Sequence, residues 1–390
     1  MSIVLALLAL SFLVFFHELG HFLAAKFFKV GVLEFSIGMG PRILSGVFRN
    51  TRYSLKLLPL GGSCAMLGED AAGSGDFSTA KGEEEEDVLD FDGVVFSKED
   101  LEKYSFEKKP AWQRFIICFG GVWHNFLLAF LFAIILTVNI GTEFPIIGAS
   151  STVETPAMKS GLQDGDRIVA IAFADGSKRS IATLQELSIF LELHQEDFKK
   201  GDIKLTVLRD GKKESFSFSP YRDPESGKYR LGVQLKNGRV SAKNLLQVLE
   251  YSYYEFRFNA RIVFDSLAMI LRGKVSRQDV MGPVGTVAVI GGAVQQSSSG
   301  GLRLTILVLM NLSLMLSVNL GIMNLLPIPA LDGGRLLFIL LEMLLRKRLN
   351  PKWEERINTV GMAILLLLMV AIVFNDVFNL FTGVYSKLLN

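Results

Sequence analysis

Four apolar runs, at residues 3–28, 115–140, 302–326 and 357–380, constrain this chain more than anything else in it. Each is long enough to cross a bilayer as a helix, which takes about 20 residues. Bulk composition hides them, because 50% hydrophobic and 21% charged residues is close to an ordinary soluble average. The distribution decides the class, since residues 143–240 read like a soluble domain set between the runs. The first run has no basic leading segment and no small-residue cleavage site, so it reads as a retained span rather than a signal peptide. Two cysteines, Cys64 and Cys118, build no disulfide framework and form no CxxC pair. A net charge of +2 gives no broad basic face, which argues against nucleic acid as a partner. The expected class is an α-helical polytopic membrane protein with one water-soluble insert.

Lysine and arginine positions set the orientation. Lys26, Lys29, Arg42, Arg49, Arg52 and Lys56 follow the first run, and Lys108, Lys109 and Arg114 precede the second. Arg335, Arg346, Lys347, Arg348 and Lys352 lie between the third and fourth. All three groups are cytoplasmic if the N-terminus is outside. Residues 143–300 and the C-terminal tail are then outside too.

The first run contains His17-Glu18-Leu19-Gly20-His21, an H-E-x-x-H pattern. Residues four apart share a helix face, so both imidazoles can reach one ion, and Glu18 beside them can take a proton from water. The alternative is a pair of packed histidines with a satisfied carboxylate. Ionisable groups inside a span are costly without a purpose, which favours metal binding.

A catalytic zinc needs a third protein ligand and an open position. At ~1.5 Å per residue, His17 and His21 lie roughly 24–30 Å along a span entering from outside. The far end of the third run, residues 324–332, reaches a comparable depth, whereas Asp376 sits near the opposite surface. Asp332 therefore fits, although it could also cap a helix beginning at Gly334. Glu342, on the expected surface helix 334–348, remains open as a ligand. His194 lies in the insert, on the wrong side. Pro327 and Pro329 break any regular helix just before Asp332. Unwound backbone at membrane depth is tolerated where it lines a site.

HELGH in the first span together with Asn324-Leu325-Leu326-Pro327-Ile328-Pro329-Ala330-Leu331-Asp332-Gly333-Gly334 in the third resembles the site-2 protease family of intramembrane zinc metalloproteases. The spacing is nearest to its bacterial regulator-of-sigma-E protease members, and the resemblance covers essentially the whole chain. It implies Zn2+ held by His17, His21 and Asp332, with Glu18 as general base. It implies that Asn324 contacts substrate or helps stabilise the oxyanion. Lys109-Pro110-Ala111-Trp112 and Gly282-Pro283-Val284-Gly285 match the family more weakly. The family's Gly-Pro-x-x-Asn stands here as Gly121-Val122-Trp123-His124-Asn125. Asn125 is kept, which implies a role in handling substrate backbone. The proline is lost, and His124 reads as a packing residue.

Residues 34–67 alternate like a hairpin bordering the membrane, with Leu57 and Leu58 before Pro59 and Gly61-Gly62. An edge strand there can pair with an unwound substrate segment, and the resemblance implies that Leu57, Leu58, Gly61 and Gly62 do so. The alternative is a hairpin that merely covers the site. Residues 83–87 read as a solvated acidic loop. Thr155-Pro156-Ala157, Gly161-Leu162 and Gly165-Asp166 in the insert resemble a PDZ domain, with Leu231, Gly232 and Val233 beside its peptide groove. That domain would either bind peptide or exclude bulky substrates. Residues 242–272 read as an amphipathic helix whose tyrosines suit an interface.

The expected organisation is span 1 (1–28), cytoplasmic hairpin and acidic loop (29–114), span 2 (115–140) and an extracytoplasmic PDZ domain (144–237). An amphipathic helix with the GPVG segment (242–301), span 3 with the Asp motif (302–334), a cytoplasmic surface helix (335–354) and span 4 (357–382) follow. The expected function is intramembrane zinc endoproteolysis of single-pass membrane proteins, in a bacterial inner membrane. By resemblance, such substrates are anti-sigma factors or remnant signal peptides already trimmed by another protease. An inactive scaffold that binds peptide tails through the PDZ domain is the alternative, and an intact Glu18 argues against it.

Overall fold

A computed structural model describes residues 2–69, 84–85, 88–148, 155–223, 227–236, 238–273 and 280–382. Helix α1 (Ser2–Phe27) leads into strands β1 (Val32–Val47), β2 (Arg52–Met66), β3 (Glu84–Glu85), β4 (Val88–Phe91) and β5 (Val94–Ser97). Then come α2 (Lys98–Tyr104), α3 (Ala111–Ile140), β6 (Thr142–Glu143), α4 (Pro156–Lys159), β7 (Arg167–Ala172), β8 (Lys178–Ser180) and α5 (Leu184–Leu193). Strands β9 (Ile203–Arg209), β10 (Lys212–Phe218), β11 (Tyr221–Arg222), β12 (Tyr229–Arg230) and β13 (Arg239–Val240) precede α6 (Leu245–Leu271). The chain closes with α7 (Pro283–Ser298), α8 (Leu302–Leu325), α9 (Asp332–Leu345) and α10 (Pro351–Phe381). It divides into two compact units, residues 1–132 with 259–390, and residues 133–258.

Four described helices, α1, α3, α8 and α10, are long and apolar enough to cross a membrane, at the places the sequence marks. Only 11% of the apolar window of α10 is buried within the protein. Water would penalise that surface heavily and hydrocarbon would not, so this is a multi-pass membrane protein. The second span begins four residues before the expected 115, because the carbonyl of Pro110 already accepts from the N–H groups of Gln113 and Arg114 and so closes the first turn. Helix α7 escaped the sequence reading, which saw only a GPVG segment there. At 16 residues it is too short to span, and it packs against α1, α8 and α10.

The hairpin is more elaborate than a single pair of strands. Glu34 pairs across to both Arg52 and Ala65, and Phe35 to both Tyr53 and Cys64, so the first half of β1 lies between the two halves of β2. Positive φ at Gly38, Gly40 and Gly61 lets both long strands bend back on themselves. Glu34 is wholly buried in this sheet, where it accepts from Arg42 Nε at 2.7 Å and Ser54 Oγ at 2.5 Å, with Lys56 Nζ 3.4 Å away. Its far end exposes Met39, Ile43, Leu44, Leu57 and Leu58. Of the acidic stretch, Glu84–Glu85 pair with β4, while residues 83, 86 and 87 lie outside the described residues.

The second unit is a four-stranded antiparallel sheet, ordered β10-β9-β7-β8, with α5 covering a core of Ile147, Ile168, Leu187, Phe198, Leu205 and Val207. Asp210 and Gly211, both at positive φ, make the tight β9–β10 turn that twisted strands require. Asp166, buried beneath it, accepts from Arg209 Nε at 2.7 Å and Nη2 at 2.6 Å. Residues 229–233 form a short strand over Tyr229–Arg230 and run on without regular structure from Leu231 to Val233.

Candidate metal centre

Helix α1 carries His17 and His21 on one face, both buried, with Nε2 atoms 3.3 Å apart. The third group arrives from 311 residues further along the chain than His21. Helix α8 ends at Leu325, and the two prolines hold residues 326–331 in short turns, with Ala330 at φ +69°. Helix α9 then starts at Asp332, whose Oδ2 lies 3.1 Å from His17 Nε2 and 3.3 Å from His21 Nε2. Asp332 is the first helical residue and Leu331 is the N-cap, so the capping role that sequence allowed does not occur. The two glycines after it have steric work to do. A Cβ on Gly333 would lie 2.5 Å from the carbonyl of Leu325, and one on Gly334 would lie 2.5 Å from Ile328 O. Only glycine lets α9 begin directly against the unwound segment.

One potential ligand atom from each of His17, His21 and Asp332 falls within 4.8 Å of the others, and among the described residues no other such group occurs. The set fits zinc, which takes imidazole nitrogen and carboxylate oxygen and keeps one position open when catalytic. Asp332 Oδ2 has no hydrogen-bond partner among the described residues, although two imidazole nitrogens approach it. Such an orphaned buried oxygen is what a cation would satisfy. His21 turns its Nδ1 to Ile117 O at 2.9 Å, which leaves Nε2 directed inward.

A cavity of about 230 Å3 opens onto these groups, lined also by Glu18, Gly62, Asn324 and Arg335. Glu18 therefore lines the same cavity as the two imidazoles. A Cβ on Gly62 would stand 3.3 Å from Glu18 Cγ, so the second half of β2 runs alongside that carboxylate. Asn324 Nδ2 lies 3.2 Å from His17 Nε2 and faces the cavity. Gly61, the residue before Gly62 in the same strand, does not line the cavity, and Leu57 and Leu58 lie at the exposed far end of the hairpin and do not reach it either.

Several other residues have different company. Glu342, left open as a ligand, pairs with Arg114 at 2.7 Å. Asp376 is not part of the donor group, and it accepts from the backbone N–H of Gly282 and Gly285 at 2.9 and 2.8 Å. His124 bonds to Gly120 O at 2.9 Å and packs against Phe16, a packing residue. Asn125 is wholly buried, 3.0 Å from His17 Nδ1, and does not line the cavity. Leu231, Gly232 and Val233 line a separate groove of about 680 Å3 in the second unit. Sequence reasoning missed the buried ion pair between Arg335 and Glu69, which lines the same cavity. Arg335 could have been noticed one helical turn beyond Asp332, but nothing local points to Glu69.

The sequence profile described as peptidase family M50 matches residues 5–368. Three relatives, each named "Putative zinc metalloprotease", align over nearly the full length. The protein from Fusobacterium nucleatum is 34% identical over 386 residues, covering 98% of this chain and 100% of its own. That from Clostridium acetobutylicum is 32% identical, covering 96% and 97%. That from Campylobacter jejuni is 32% identical, covering 95% and 91%. The chain belongs to peptidase family M50, the site-2 proteases, and is a zinc-dependent metalloprotease.

Proposed function

We propose that this enzyme hydrolyses peptide bonds within the transmembrane segments of single-pass membrane proteins, with His17, His21 and Asp332 as its zinc ligands and Glu18 as its general base. The observation that carries this reading is the convergence of the three donor groups beside Glu18, inside a unit whose helices are long and apolar enough to span a membrane. Zinc, when bound, supplies Lewis acidity toward the scissile carbonyl and lowers the pKa of water toward ~7. Glu18 takes the proton of the attacking water and returns it to the leaving amide nitrogen. Asn324, with Nδ2 facing the cavity, donates to the carbonyl oxygen as it gains charge.

A peptide bond inside a helix is shielded by its own hydrogen bonds, so substrate must be extended before water can reach it. The edge at Gly61 and Gly62, beside Glu18, supports main-chain pairing with such an extended segment. Leu57 and Leu58, at the exposed far end, would meet the part of the substrate still in lipid.

The second unit is proposed to be a PDZ domain outside the cytoplasm, with Leu231, Gly232 and Val233 along a groove walled by Leu191 and Gln195 on the other side. The chain would then sit in a bacterial inner membrane with its N-terminus outside. Substrates would arrive after trimming by another protease, as anti-sigma factors or leftover signal peptides do.

The test compares cleavage of a transmembrane reporter by wild type, Glu18→Gln and Asp332→Asn, with zinc content measured on each. Glu18→Gln should keep zinc and lose cleavage, and Asp332→Asn should lose both. Normal cleavage by both variants would overturn the mechanism.

A further inference from the structure

We infer that Asn125 is a positioning residue for His17, its Oδ1 accepting the imidazole Nδ1–H, rather than a residue that handles substrate backbone. The inference rests on the reading of His17 as a zinc ligand.

Ile117, Gly121 and Asn125 on α3 are four residues apart, so they form one stripe along a single helix face. That stripe faces the two imidazoles of α1, each matched in turn. Ile117 O lies 2.9 Å from His21 Nδ1. Gly121 leaves room for both rings, since a Cβ there would come within 2.7 Å of Cε1 on each. Asn125 Nδ2 lies 3.0 Å from His17 Nδ1. Antiparallel packing of α1 and α3 thus puts a polar atom of α3 at the outer nitrogen of each histidine.

The ring chemistry then assigns the proton. His17 Nε2 is directed to Asp332, 3.1 Å away, and toward His21. A histidine that binds through Nε2 carries its hydrogen on Nδ1 and needs an acceptor there. Ile117 O does this for His21. For His17 the neighbour at that distance is the carboxamide of Asn125, and only its oxygen can accept. Turning the amide by 180° places Oδ1 against Nδ1, and Oδ1 as it stands has no hydrogen-bond partner among the described residues. The metal-loaded state therefore gives that oxygen its partner.

Burial and anchoring favour the same role. Asn125 has no exposed surface and does not line the cavity, so an extended substrate cannot reach its amide. Its backbone oxygen accepts from Ser317 Oγ at 2.8 Å, and Ser317 on α8 is also fully buried. Helices α1, α3 and α8 are pinned together at this point. A residue so held can orient a ring, and second ligand-orienting contacts of this kind commonly govern metal affinity by about 10–100-fold.

The experiment uses the full-length enzyme in detergent, with wild type, Asn125→Leu, Asn125→Asp and His17→Ala. Zinc retention is titrated against a chelator, and KM and kcat are measured on a transmembrane reporter. Asn125→Leu should retain zinc about 10–100-fold less tightly, and its kcat at limiting zinc should fall while KM stays near wild type. Asn125→Asp, an acceptor without a donor, should retain zinc as well as wild type. Wild-type zinc retention by Asn125→Leu with a raised KM would overturn the inference in favour of substrate contact. Zinc loss in Asn125→Asp would overturn it as well, and this holds even if Asn125→Leu does not fold. His17→Ala separates the two readings: wild-type zinc retention there removes His17 as a ligand, and the inference with it.

Discussion

Gly121 lies so close to His21 that a single methyl group on its Cα would come within 2.7 Å of the ring carbon Cε1, and equally close to the same atom of His17. Contacts that short do not occur between carbon atoms, so one partner must move. Both rings are tethered at their far nitrogens, to Ile117 and Asn125, and have little freedom to yield. Gly121→Ala should therefore lower zinc retention by about 10–100-fold while the protein still inserts and folds. Chelator titration of the purified variant checks this; wild-type retention would mean that α3 shifts to absorb the methyl.

The pair Arg335–Glu69 gives a second expectation. Glu69 also accepts from its own neighbour Met66 N at 3.2 Å, so the pair fastens the first turn of α9, which bears Asp332, to the end of β2. Removing one member of a buried pair leaves an uncompensated charge, at a cost of about 3–5 kcal/mol. Arg335→Met should be strongly destabilised, and Arg335→Met with Glu69→Gln should be less so. Unfolding midpoints in detergent, arranged as a double-mutant cycle, report the coupling. Additive effects would show that the contact contributes nothing.

Asp376 serves a different helix. Its two oxygens take the N–H groups of Gly282 and Gly285, at the start of α7, where no intrahelical partner exists. Asp376→Leu orphans both donors in a buried setting, and each costs roughly 1–3 kcal/mol. The variant should lose thermal stability yet bind zinc at wild-type stoichiometry, which Asp332→Ala should not. Measuring zinc on both variants side by side makes the distinction, and zinc loss in Asp376→Leu would contradict it.

Glu255 on α6 brings a pH dependence. Burial pushes its carboxyl up to about 7, against the opposing pull of Arg239 and the nearby Thr142 hydroxyl. The folded form therefore holds a proton that the unfolded chain, titrating near 4.5, has released. Stability is greatest below that lower value and declines as pH rises toward 7, by on the order of 1–3 kcal/mol. Hydrogen exchange across residues 245–258 should quicken between pH 5 and pH 8 beyond the intrinsic rate. Glu255→Gln should abolish that extra change, and if it persists in the variant, another group is responsible.

The apolar runs dictate the spans because hydrocarbon tolerates only backbone that satisfies itself, and that condition is written locally in about 20 consecutive residues. The H-E-x-x-H spacing dictates that His17 and His21 share a face for the same local reason. Asp332 was accessible through depth, since two helices of known rise must bring their polar breaks to the same level. All of these follow from the chain's own neighbourhood.

Helix α7 was not legible, because a short apolar segment with glycines looks the same whether it packs as a helix or crosses as a loop. The double pairing of β1 was not legible either, since alternation reports a strand without saying how many partners it has. The tertiary structure alone decided what surrounds the metal-capable groups. It buried Asn125 away from the cavity and set it against His17, fitted Gly121 beneath two imidazoles, and joined Glu69 to a residue 266 positions away. Sequence determined which groups could bind a metal, because spacing within one helix is local. Only the packing of α1 against α3, α8 and α9 determined which neighbours hold them, because those contacts are made by surfaces remote in the chain.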